Sequence, residues 1–137
     1  MFIPKKTKYK KQQKGRNFKK VKLTYKQLST YTPTKILLRA TSSGRVSSKN
    51  LIACKQTITK KIKKYGQLNV LAIADTPISK KPTEIRMGKG KGNVSSWVCR
   101  IKPGTVLFEI SSSKKFLAKY ALKLIQNKLP ISTKIVL

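Results

Sequence analysis

Trp97-Val98-Cys99-Arg100-Ile101-Lys102-Pro103-Gly104-Thr105-Val106-Leu107-Phe108-Glu109-Ile110 decides the fold class of this chain. Trp97, Cys99 and Ile101 alternate with Val98, Arg100 and Lys102, and beyond Pro103-Gly104 the residues Val106, Phe108 and Ile110 alternate with Leu107 and Glu109. A period of two marks strands, and Pro-Gly suits the centre of a tight turn, so the stretch predicts a β-hairpin. Downstream, Ser112 or Ser113 is placed to cap a helix whose apolar face is Leu117, Tyr120, Ala121, Leu124 and Ile125, ending before Pro130. Residues 131–137 alternate as a last strand.

Upstream of the hairpin, Ile36 to Ala40 is short, apolar and compatible with a strand, closed by Ser42-Ser43-Gly44. Ser47 or Ser48 can cap a helix in which Leu51, Cys54, Ile58, Ile62 and Tyr65 recur at three-and-four spacing, with Gly66 as its stop. Lys49, Lys55, Lys60, Lys61, Lys63 and Lys64 occupy its other faces; such a charge run is by default a solvated surface, but here almost no acid exists to pair with it. Leu68 to Ala74 reads as a buried strand broken by Asp75-Thr76-Pro77. The sum is α+β: one domain, two helices packed on a mainly antiparallel sheet. Residues 1–34 form a basic arm and residues 35–137 the compact domain, with a long loop over 76–94.

Charge indicates the partner. Thirty-three Lys and Arg face only Asp75, Glu84 and Glu109, giving +30 on 137 residues, a load that opposes compaction through self-repulsion. An anionic partner is therefore expected to complete the fold, while 39% hydrophobic residues still suffice for one modest core. No apolar run approaches the roughly 18 residues of a membrane span. In the arm, Lys5, Lys6, Lys8, Lys10, Lys11, Lys14 and Arg16 are interleaved with Phe2 and Tyr9, and Phe18 and Tyr25 follow, a mixture suited to phosphates and exposed bases together. A disordered basic tail is the plainer reading; the aromatics and the Gly15-Arg16 bend favour an arm that orders on binding.

Arg86-Met87-Gly88-Lys89-Gly90-Lys91-Gly92-Asn93 sharpens this. Alternate glycines permit positive φ and bring backbone amides close to a polyanion, Lys89 and Lys91 supply point charges, and Arg86 a planar fork. The segment fails the phosphate-loop pattern of nucleotide hydrolases, because no Gly-Lys-Ser/Thr closes it. Without histidine, and with Cys54 and Cys99 far apart, zinc sites and His-based triads lack their parts. Both cysteines read as small core residues in a reducing compartment. Three scattered acids argue against paired-carboxylate catalysis, and neither an enzyme, a cofactor, a metal nor a small-molecule substrate is expected.

Arg86 to Gly92 followed by Trp97, with the opening Pro4-Lys5-Lys6-Thr7-Lys8-Tyr9-Lys10-Lys11 and Lys14-Gly15-Arg16, closely resembles the family of large ribosomal subunit protein sixteen of bacteria and organelles. The likeness runs on through Pro77-Ile78-Ser79, Lys81-Pro82-Thr83-Glu84, Pro103-Gly104, Leu107-Phe108-Glu109 and Lys128-Leu129-Pro130-Ile131. It departs over residues 18–44, and Asn69 and Leu71 stand where the family has a tryptophan and a basic residue. The resemblance implies a non-catalytic structural protein seated in large-subunit rRNA beside the aminoacyl-tRNA site and near the peptidyl transferase centre, helping to position tRNA among neighbouring ribosomal proteins. It places Lys5, Lys6, Lys8, Lys10, Lys11, Lys14, Arg16, Gly88, Lys89, Gly90, Lys91 and Gly92 on rRNA. It sets Lys80, Lys81, Arg86 and Met87 near tRNA, with Arg86 where some bacterial members are hydroxylated. A free architectural nucleic-acid-binding protein is the alternative. The chain opens at the family's first motif, so no cleavable presequence is expected. Lys, Ile, Ser and Thr are abundant where the family more often has Arg and Ala, as expected of an AT-rich genome, and Ala74-Asp75-Thr76-Pro77 and Lys81-Pro82-Thr83-Glu84 most resemble mitochondrial members. The resemblance implies an organelle-encoded mitochondrial protein, with a bacterial cytoplasm or plastid next.

Overall fold

The computed structural model describes residues 2–4, 6–16 and 35–136. Its elements are β1 (Lys35–Ala40), β2 (Gly44–Ser47), α1 (Ser48–Ile62), a single 3₁₀ turn (Lys63–Tyr65), β3 (Gly66–Val70), β4 (Thr76–Lys80), β5 (Asn93–Ile101), β6 (Val106–Ser112), α2 (Lys115–Gln126) and β7 (Thr133–Val136). Every strand pairing among the described residues is antiparallel, so the α+β expectation holds, but the strands form two sheets, ordered β3-β6-β1-β7 and β2-β5-β4.

That division corrects the hairpin. β5 and β6 are both strands and Pro103-Gly104 is a turn, with Gly104 at φ +88° and Thr105 N–H donating to Lys102 C=O at 3.2 Å. Yet the two strands do not pair. β6 is flanked by β1 and β3, and β5 by β2 and β4, so all four edges are taken. Gly104 N–H donates to Ala40 C=O at 2.7 Å and Ala40 N–H to Thr105 C=O at 2.9 Å, which fixes the turn to β1 as a corner between the sheets. Leu107 and Phe108 are both fully buried, so β6 has two apolar faces and belongs at the centre of its sheet.

The first helix follows its sequence signals at one end only. Ser47 is the N-cap, accepting from Asn50 N–H at 3.2 Å, and Leu51, Cys54, Ile58 and Ile62 are buried in one stripe. The helix stops at Lys63, which takes φ +48°, and not at Gly66. Gly66 is extended and starts β3; a Cβ there would lie 2.5 Å from Ser111 O, so the glycine serves close approach to β6. Tyr65 is exposed rather than part of the stripe.

α2 is rotated from expectation: Ala118, Ala121, Leu122 and Ile125 are buried, whereas Tyr120 is exposed. Its N-cap is Lys114 without a side-chain cap, although Lys114 N–H donates to Ser112 Oγ at 3.2 Å. The Leu68–Ala74 strand is also shorter than expected. β3 is an edge strand ending at Val70; beyond it Ala72 and Ala74 are buried while Leu71 and Ile73 face out. The loop expected over 76–94 is narrower, because β4 and the start of β5 pair across Thr76↔Val98 to Lys80↔Asn93 and leave residues 81–92 as the connection. Pro77 is tolerated because β4 is an edge.

The helices pack on each other, α1 also against β2, β3 and β5, and α2 against β1, β6 and β7. Cys54 lies in this core, where burial pushes its thiol up to about 11 against the opposing charge of Lys128. Cys99 is half-buried in β5; burial raises its pKa, nearby Asp75 adds to that, and a hydrogen bond with the Ile73 backbone opposes it. Glu109 pairs with Lys35 at 2.6 Å.

Candidate nucleic-acid interface

The 81–92 loop projects from the β4–β5 pair, and residues 82–91 are all exposed, with Met87 at 99%. Gly88, Lys89 and Gly90 adopt φ of +95°, +51° and +88° in succession. Only glycine takes the first and last of these values without strain, so the Gly-Lys alternation is a demand of backbone conformation. Hypothetical Cβ atoms on Gly88 and Gly90 meet nothing within 4 Å. The space beside them is open to a ligand. Gly92 differs: a Cβ there would lie 2.7 Å from the Lys80 carbonyl carbon and oxygen and 2.8 Å from Lys81 N. The third glycine therefore lets the loop close on β4.

The lysines divide in the same way. The Lys81 ammonium donates to Gly88 C=O and shapes the loop from inside. Lys11 Nζ donates to Lys91 C=O at 2.8 Å, and Lys91 Nζ to Gln12 C=O at 2.7 Å, a reciprocal tie between arm and loop. Lys89 and Arg86 stand exposed on the outer side. Lys80 is exposed at the end of β4, beside a cleft lined by Lys81, Pro82, Thr83, Asn93 and Val94.

The described residues of the arm lie on the domain at Phe2, at Lys11 and Gln12, and at Lys14 and Gly15. Phe2 packs against the core, its carbonyl accepting from Ala74 N–H at 2.8 Å, and Lys55 Nζ sits 5.8 Å from its ring centroid. Farther along comes the Lys91 tie. At the bend, Arg45 Nη2 donates to Lys14 C=O at 3.1 Å and Gly15 C=O at 2.6 Å, with Gly15 at φ +63°. The side chains of Lys6, Lys8, Lys10, Lys14 and Arg16 belong to exposed residues, and Tyr9 is exposed with Lys8 Nζ 5.5 Å from its ring. Phe2 is thus partly buried by packing against the core, unlike the exposed Tyr9. Lys5, Phe18 and Tyr25 lie outside the described residues. Arg45, which sequence reading passed over, fixes the arm's direction; a lone arginine in a short strand gives no sign of the carbonyls it will meet.

The two-sheet α+β domain thus carries an acid-free arm joined to a glycine-lysine loop as one exposed basic surface. The chain belongs to the ribosomal protein L16p/L10e family, which it matches over residues 4–136. It is 44% identical over 136 residues to large ribosomal subunit protein uL16 of Acinetobacter baylyi, covering 99% of this chain and 96% of that one. Proteins of the same name from Acinetobacter baumannii and Psychrobacter arcticus are each 43% identical over the same shares.

Proposed function

We propose that this protein is a structural constituent of the large ribosomal subunit. It holds large-subunit rRNA with its arm and loop, beside the aminoacyl-tRNA site and near the peptidyl transferase centre, and helps to position tRNA. The observation that carries this is the reciprocal Lys11–Lys91–Gln12 tie, which makes two basic segments distant in sequence into one strip. Along it Lys6, Lys8, Lys10, Lys14, Arg16 and Lys89 offer charge, with Gly88 and Gly90 granting backbone approach, while Lys11, Lys91 and Gly92 hold the strip together. Lys5 extends the same run in sequence. Arg86, Met87, Lys80 and Lys81 form the end directed at tRNA. The arm over 1–34 and the domain over 35–137 act as anchor and body. Neighbouring ribosomal proteins are the other partners; no helix among the described residues is long and apolar enough to cross a membrane.

The ribosome is of bacterial type, and composition supports a mitochondrial one; the Acinetobacter and Psychrobacter relatives fit the bacterial alternative. A gradient-sedimentation profile tests the reading. After a wash at about 0.5 M monovalent salt, which strips binders held by phosphate contacts alone, the chain stays with the large subunit, and a mitochondrial fraction contains it. Recovery at the top of the gradient would instead support a free architectural binder.

A further inference from the structure

We propose that the outward face of α2, centred on Phe116 and Tyr120, is a stacking site for an unpaired base of RNA; this rests on the reading that the chain binds RNA, and adds a second site to the arm and loop. Phe116 and Tyr120 are one helical turn apart, hence on one face, and are 83% and 45% exposed. The helix already buries Ala118, Ala121, Leu122 and Ile125 on its other side, so these rings do not serve the core. They line a groove of about 320 Å³ with Lys119 and Lys123. Lys61, reaching across from α1, holds its ammonium 5.7 Å from the Tyr120 ring centroid.

Two aromatic faces ringed by ammonium groups match the two halves of a nucleotide, a flat base and an anionic phosphate. Neither helix contains an acid that could neutralise those lysines. That charge is what favours RNA over an apolar protein neighbour, whose approach would bury uncompensated ammonium groups. The site is also separate in the fold, since α2 packs on β1, β6 and β7 whereas the loop springs from β4 and β5.

The test compares the full chain with Phe116→Ala/Tyr120→Ala by fluorescence anisotropy on two labelled RNAs, a hairpin with an unpaired adenine loop and a fully paired duplex, at about 0.3 M salt to suppress the nonspecific electrostatic term. The double variant is expected to bind the hairpin about tenfold more weakly, in line with the loss of base–aromatic stacking, with the duplex affinity and the salt slope unchanged. Phe116→Trp/Tyr120→Trp should restore the hairpin affinity. An unchanged hairpin affinity overturns the site, even if the variant enters large subunits poorly, which would mark the face as a protein contact. Equal losses on both RNAs overturn it as well. Failure of the parent chain to bind either RNA would instead overturn the underlying RNA-binding reading.

Discussion

At the scale of the residue, the three glycines of the loop are not equivalent. Gly92→Ala should destabilise the free protein by about 1–3 kcal/mol, the usual cost of forcing an extra carbon into a packed site, because its Cβ would meet the Lys80 backbone at 2.7 Å. Gly88→Ala meets open space and carries only the strain of positive φ in an exposed loop that can relax, so its effect on urea unfolding should be smaller. Similar midpoints for the two variants would show that Gly92 can move away from β4. Cys54 allows a second test at this scale. Its folded pKa, near 11 against an ordinary 9.0, means that the buried thiol keeps its proton while the unfolded one ionises. Stability from this group is therefore full below pH 9 and falls between pH 9 and 11, by up to about 3 kcal/mol at 1.36 kcal/mol per pKa unit. Lysine titration overlaps that range, so the comparison is with Cys54→Ala, in which the lysine contribution cancels. The stability advantage of the parent over the variant, from melts at pH 8 and pH 10.5, should shrink. An advantage independent of pH would mean that the thiol ionises in place.

At the scale of the element, the sequence disclosed strands, helices and one turn, but not which edges meet. Alternation at Trp97–Ile101 and Val106–Ile110 depends on what each strand faces, whereas pairing depends on partners far away in sequence, and β1 and β3 take the edges of β6 before β5 can. Likewise the apolar set of α2 fits two overlapping stripes; Leu122 is buried and Tyr120 exposed because packing against β1, β6 and β7 sets the rotation. The candidate interface was legible where it is a local pattern, in the Gly-Lys alternation and the acid-free arm. The docking of that arm was not legible, since it uses backbone carbonyls of Gln12, Lys14 and Gly15 that any residue type carries. Docking can be probed by Arg45→Ala, which removes the donor to Lys14 and Gly15 while the neighbouring Val46 remains in the core. Limited trypsin digestion of the free variant should cut within residues 6–16 several-fold faster than in the parent, because cleavage follows the population of the undocked arm. Equal rates would mean that Phe2 and the Lys91 tie hold the arm without Arg45.

At the scale of the whole molecule, the sum of charges sets the conditions for folding. A chain of +30 holds its core of Leu38, Leu51, Ile58, Phe108, Leu122 and their neighbours against repulsion spread over both helices, both sheets and the arm. Before Asp75 the chain has no acid at all, and Glu109 is committed to Lys35. Neutralisation must come from ions or from a bound polyanion. Screening is the simplest substitute for that partner, since the Debye length falls from about 10 Å at 0.1 M to about 3 Å at 1 M ionic strength. The melting temperature of the free chain, followed by circular dichroism, should therefore climb as sodium chloride rises over that range. A short RNA at low salt should raise it further, because binding to the folded state alone stabilises by mass action, and the gain should fade as salt weakens the complex. A melting temperature indifferent to both would show that the lysines are spaced and solvated well enough not to repel one another. The fold would then stand on its apolar core alone, and RNA would act on the arm and loop without stabilising the body.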